Sequence, residues 1–183
     1  MTPGVSGVSR LSRGIDRWVS RLTLGFAWVV LPLLILVTVV HVVGRQFGDV
    51  GSGTLYELGS ELFFALVMLS FGYAYLRDGH VRIDILRDRM RARWLAWIEL
   101  AGCLAILMPL SGYLIVYGAE SAWLAWAQGE RSGALLDLPL QWLVKATVPL
   151  GFLLLLLSGA CVVIRNVLFL LGCEDGPAPG GRA

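Results

Sequence analysis

The chain has 183 residues, 57% of them hydrophobic and 15% charged, with a mean hydropathy of +0.73. That balance excludes an ordinary soluble domain and points to a protein that lives in a membrane. A formal net charge of only +2 gives no reason to expect nucleic acid as a partner.

Residues 1–21 open the chain with a Gly/Ser-rich stretch, after which Leu11, Ile15, Trp18 and Leu22 recur at helical spacing opposite Arg10, Arg13, Arg17 and Arg21. This pattern fits a basic amphipathic helix lying in the membrane interface, or else an extension of the first spanning helix. Four apolar segments then define a membrane domain over residues 22–172, with helices expected at about 22–44, 55–76, 94–117 and 142–164. About 20 helical residues cross the hydrocarbon, so the first, third and fourth segments suffice alone and the second needs the turn that leads into it. The first is too long for a signal-peptide core and no small-x-small cleavage site follows it, so it should remain as an anchor.

Pro32 should bend the first helix without breaking it, and Gln46 to Thr54, with three glycines, reads as a short turn. The stretch Ile85 to Trp97 places Leu86, Met90, Trp94 and Trp97 among arginines, a second basic amphipathic lead-in. The third helix should bend at Pro109 and run on toward Trp126, and residues 173–183 read as a disordered Gly/Pro tail. The expected fold is therefore an all-α integral membrane protein of four transmembrane helices with basic interfacial helices.

Arginines set the expected orientation. Arg10, Arg13, Arg17 and Arg21 precede the first helix, Arg77, Arg82, Arg87, Arg89, Arg91 and Arg93 join the second to the third, and Arg165 and Arg182 end the chain. Only Arg45, Arg131 and Lys145 fall on the other side, which puts both termini in the cytoplasm, with contacts to anionic membrane lipids possible along that face. Tryptophans agree, with Trp18, Trp94 and Trp97 at the inner interface and Trp123, Trp126 and Trp142 at the outer.

An ionisable side chain at the middle of a membrane helix costs about 2.5–3.5 kcal/mol on insertion scales, so each one asks for a partner or a route to water. Glu57 and Glu61 share a face at the outer end of the second helix, near Arg45 and Lys145. A network joining Arg45 or Lys145 to Glu61 competes there with simple snorkelling to headgroups. Glu99, one turn into the third helix, should pair with an arginine of the basic link or contact a partner subunit. His41 and His80 sit near opposite ends, unsuited to a shared haem, and Cys103, Cys161 and Cys173 have no metal-ligand spacing and read as packing residues. No nucleophile, base and orienting group come together, so no enzyme activity and no cofactor are expected.

The run FGYAYLRDGHVRIDIL and, after the basic link, LDLPLQWLVKATVPLGFLLLLL resemble the small membrane subunit of tripartite ATP-independent periplasmic (TRAP) transporters. The resemblance extends over roughly Leu22 to Gly172 and rests on Gly72, Gly79, His80, Val81, Arg82 and Asp84, and on Pro139, Pro149 and Gly151. It implies a multi-pass subunit of the bacterial inner membrane, partnered by a large membrane subunit and a periplasmic substrate-binding protein. In such importers the large subunit binds an organic acid together with sodium, and the small one is a non-catalytic scaffold. His80, Arg82 and Asp84, with Arg45, Glu57, Glu61, Glu99 and Lys145, then become candidate structural or subunit-interface residues. The chain departs from the family at the start of the second helix, where Leu55, Tyr56, Glu57 and Glu61 stand in place of a tryptophan and paired glutamates. Competing readings are a four-helix redox or electron-carrying protein and an autonomous small transporter.

Overall fold

The computed structural model describes residues 3–47, 52–77, 92–130 and 141–171. Its elements are α1 (Pro3–Gln46), α2 (Ser52–Leu76), α3 (Ala92–Gly102), a π-helical turn (Cys103–Leu107), α4 (Met108–Ala127) and α5 (Gln141–Leu170). The π turn joins α3 to α4, so the three form one rod, and four helices in all are long and apolar enough to cross a membrane.

Each helix is longer than its apolar core. The N-terminal segment is helical and continuous with the first spanning helix: α1 runs without interruption from Pro3 through Pro32 to Gln46. Of its amphipathic stripe, Ile15 packs with the fully buried Val19 against Leu76, Leu154 and Cys161 in one cluster, while Trp18 and Leu22 are exposed. The rod likewise continues to Ala127. Hydropathy marks only the stretch that must avoid water, whereas the helix can continue into the interface wherever no residue stops it. The second basic lead-in is described only from Ala92, where it is already part of the rod, and the C-terminal tail lies outside the described residues.

The expected bend at Pro109 takes a specific form. Proline has no N–H to donate, and its ring crowds the carbonyl four residues back. The chain responds by widening the preceding turn, and the Met108 N–H bonds the carbonyl of Cys103, five residues back.

Contacts between named residues give the directions of the helices. Thr23 of α1 donates to the Leu69 carbonyl of α2 at 3.2 Å, and Val37 lies over Gly59, so α1 and α2 are antiparallel. Met68 meets Gly151 and Gly72 meets Leu154, so α2 and α5 run parallel. Gly118 lies beside Pro149 and Leu107 beside Gly159, so the rod is antiparallel to α5. Helix α5 is central: it packs on α2 along one side and on the rod along another, and α1 leans against both α2 and α5. The rod and α1 share no packed face, so the helices form an open array rather than a closed bundle.

Lipid tails are as apolar as leucine, so helices in a membrane gain their cohesion from close packing and interhelical hydrogen bonds rather than from burial away from water. The α2–α5 seam shows this. A Cβ on Gly151 would stand 2.4 Å from the Met68 carbonyl oxygen, and one on Gly72 would stand 2.8 Å from the backbone of Leu154. Phe71 and Phe152 meet edge to face beside the seam, 5.9 Å between centroids. Ser158, also fully buried on α5, directs its hydroxyl to its own helix at the Leu154 carbonyl, 2.7 Å away.

Because the obstacle at Gly151 is backbone, which cannot step aside, Gly151→Ala should lower stability in detergent by about 1–3 kcal/mol. Gly25, with nothing near its Cβ position, is the control, and Gly25→Ala should leave the melting temperature unchanged or raised. Equal melting of both variants would show that the α2–α5 approach does not hold the fold together.

Candidate functional site

The described ionisable groups gather toward the two ends of the array. Its arginine-rich end holds the N-terminal half of α1, the end of α2, the start of the rod and the end of α5. The opposite end holds His41 and Arg45 of α1, Glu57 and Glu61 of α2, Glu130 and Lys145. Between them, hydroxyls satisfy themselves locally: Thr38 bonds the Leu34 carbonyl and Ser70 that of Leu66.

At the opposite end the ion pair joins Lys145 Nζ to Glu130 Oε2, 2.5 Å apart. The rod ends in a cap that positions the carboxylate. Gly129 takes φ of 59°, its N–H bonds the Trp126 carbonyl, and the Glu130 N–H reaches back to the carbonyl of Ala125. A left-handed residue flanked by this pair of bonds is the Schellman arrangement, and glycine adopts it without a Cβ penalty. Lys145, one turn into α5, is thereby held toward the rod.

The expected pairing of Lys145 or Arg45 with Glu61 does not form among the described residues. Lys145 faces the rod, and because α2 and α5 run parallel, Glu61 lies level with the first turn of α5. Its neighbour there is Gln141, whose Nε2 lies 3.5 Å from Glu61 Oε1, a weak contact at best. Arg45 is exposed, as snorkelling requires. Glu57 is half-buried beside Tyr56, whose ring lies 5.9 Å from that of His41.

At the arginine-rich end, Asn166 is fully buried on α5 and donates from Nδ2 to Glu99 Oε2 at 3.0 Å. This ties the start of the rod to the end of α5. Of the link arginines that were candidate partners for Glu99, Arg82, Arg87, Arg89 and Arg91 lie outside the described residues, as do His80 and Asp84. Nearby, the Tyr75 hydroxyl of α2 meets the Cys103 thiol at the start of the π turn, and the Arg77 guanidinium stands 5.5 Å over the Tyr73 ring. Cys103 and Cys161 are both buried, and neither forms a disulfide.

Asn166, Gln141 and Glu130 are polar partners that reading the sequence missed. The available signal for Asn166 was a lone amide amid VVIRNVLF, a residue type that rarely sits on an apolar face without a bonded partner. Among the described residues, no group of three or more His, Cys, Asp and Glu side chains could hold a metal ion. The contacts of Lys145 with Glu130 and of Asn166 with Glu99 join one helix to another toward their ends.

These features define a small, multi-pass, all-helical membrane protein whose polar groups fasten helices. Residues 34–169 match the tripartite ATP-independent periplasmic transporters, DctQ component, and the chain belongs to this family of small TRAP transporter permease subunits. Comparison with curated proteins and with solved structures gives no match.

Removing Asn166 would take a buried donor from Glu99. Asn166→Leu should destabilise the protein by about 1–3 kcal/mol, and Glu99→Gln, which can still accept from Asn166, should cost less; thermal melting of both variants in detergent measures the order. The Lys145–Glu130 pair is partly exposed, with side-chain exposures of 33% and 42%. A double-mutant cycle should give a coupling of about 0.2–1 kcal/mol, and a value near zero would show that the two groups act independently.

Proposed function

We propose that this small permease subunit is the non-catalytic scaffold of a sodium-coupled importer for organic acids of the carboxylate class. In this reading a periplasmic binding protein delivers the substrate, and a large membrane subunit binds it with sodium and carries it across. The present chain, seated in the bacterial inner membrane with both termini in the cytoplasm, widens the stationary part against which that movement occurs. No cofactor is assigned to it, and the sodium sites belong to the large subunit.

One observation carries the reading: within a chain of this family, the described charges lie toward the helix ends, and the helix middles offer hydroxyls bonded to carbonyls. A substrate path for a carboxylate would need polar or cationic groups near the midplane, commonly on interrupted helices whose ends face the solute. The π turn is an interruption, but an apolar one, with Cys103 and Leu107 against α5. The positions of the arginines support the orientation. His80, Arg82 and Asp84 are assigned to the boundary between α2 and the rod, in a structural or coupling role.

Purified alone in proteoliposomes, the chain should accumulate no organic acid under a sodium gradient, and with its large subunit and binding protein it should support uptake. It should also copurify with that larger membrane protein. Sodium-driven uptake by the isolated chain would reject the scaffold reading in favour of an autonomous transporter, and a haem absorption band with stoichiometric iron would favour an electron carrier.

A further inference from the structure

Of the carboxylates on the rod and its cap, Glu99 is met by Asn166 and Glu130 by Lys145. Glu120, the one charged residue between them in the chain, has no hydrogen bond or ion pair to a described residue. Its direction explains why. Ser111 and Ala125 are buried and Gly118 lies against Pro149, so these residues, spaced by sevens, mark the side of the rod that packs on α5. Two residues beyond Gly118 is a rotation of about 200° around the helix, and Glu120 is accordingly exposed. The rod shares no packed face with α1. Lys145, which the pairing of Pro149 with Gly118 puts within about one turn of the level of Glu120, is already engaged by Glu130.

Glu120 lies about 31 Å beyond Glu99 along the rod, close to the thickness of the hydrocarbon core. The carboxylate therefore stands at the membrane boundary opposite the arginine-rich end. Tyr113, Val116, Tyr117 and Trp123 surround it at helical spacing, each more than half exposed, and the rings of Tyr113 and Tyr117 lie 4.2 Å apart between centroids. Neither tyrosine hydroxyl bonds a described residue. Tyr113 is about 10 Å nearer the membrane middle than Glu120, and because Cα–Cβ bonds tilt toward a helix's N-terminus, its side chain starts further inward rather than out toward headgroups. A belt at headgroup level accounts for Trp123, but not for an unbonded hydroxyl at that depth. The exposed face of α1 differs, since Thr23 and Thr38 are each bonded to a carbonyl of this chain.

A carboxylate at this boundary, beside paired aromatic rings, is complementary to an arginine. A guanidinium can fork onto the carboxylate through two N–H groups and lie on a tyrosine ring at the same time, and pairing lowers the cost of holding either charge at the edge of the hydrocarbon. Aromatic side chains gathered around a charge are also what the centre of a protein interface is made of. A lipid ammonium group would meet the carboxylate but leave the deeper tyrosines among acyl chains.

We infer that the face of the rod centred on Glu120 receives a membrane helix of the large subunit, with an arginine of that helix paired to the Glu120 carboxylate beside Tyr113 and Tyr117. This rests on the reading of the chain as a supporting subunit, and it adds the charge that selects the partner and the face that meets it.

In the chain alone, Glu120→Gln should leave the melting temperature in detergent unchanged, since no contact within the chain is lost. Coexpressed with the large subunit of its transporter, the same variant should lower copurified large subunit roughly threefold or more, and Glu120→Arg should lower it further. A photoreactive phenylalanine analogue at Val116 should give an adduct with the large subunit several-fold stronger than one at Ile35 on the exposed face of α1. The adduct should locate a helix bearing an arginine, whose replacement by glutamate restores copurification to Glu120→Arg. Unchanged copurification of Glu120→Gln, adducts with a second copy of this chain, or adducts with lipid alone would each overturn the proposal. So would an equal and non-additive loss from Arg131→Gln, which would make the partner internal. If the wild-type chain copurifies with the large subunit but crosslinks through α1, only the docking face is wrong; if it does not copurify, the scaffold reading falls as well.

Discussion

The closeness of α2 and α5 is the constraint on which the rest of the array depends. Two parallel helices in lipid have no hydrophobic force to bring them together, and Gly72 and Gly151 let backbone reach backbone where any side chain would intervene. Once α5 is fixed against α2, its other sides are presented to α1 and to the rod. The remaining contacts then follow in register: Pro149 over Gly118, Gly159 over Leu107, Asn166 to Glu99.

The polar contacts act as fasteners at the ends of these seams. Lys145 with Glu130 closes one end of the α5–rod seam and Asn166 with Glu99 the other, so the rod is tied to α5 toward both ends, with Gly118 against Pro149 and Leu107 against Gly159 between them. Their energies differ in kind. The first pair is partly exposed and water screens it, whereas Asn166 is sealed from solvent, and its amide must find an acceptor within the protein. A half-solvated tie at one end and a sealed one at the other leave the two ends of the rod unequally anchored.

Much of this was legible in the chain. Long apolar runs identify four helices whatever their neighbours, and the run after Leu55 needed only its lead-in turn to span. Element ends were less legible, because hydropathy measures the need to avoid water while α1 and the rod continue beyond that need. The partner of Lys145 escaped for a geometric reason: Glu61 and Glu130 are both acidic and both near the same end, and only the parallel course of α2 and α5, with the cap at Gly129, decides between them. Asn166 escaped because a single amide in an apolar run has no periodicity. Pro109 announced a disturbance, but whether a proline yields a kink or a widened turn depends on how the neighbouring carbonyls are served, and composition does not encode that.

The central place of α5 bears on how the molecule is made. A chain emerges from the ribosome N-terminus first, so α1, α2 and the rod enter the membrane before the helix that joins them exists. Until residues near Leu170 are synthesised, the rod lacks the surface on which it lies, and α2 lacks the partner for Gly72. The mature arrangement is therefore completed only once α5 has been made, and a chain cut short before α5 would be a loose hairpin with a detached third helix rather than a smaller version of the same protein.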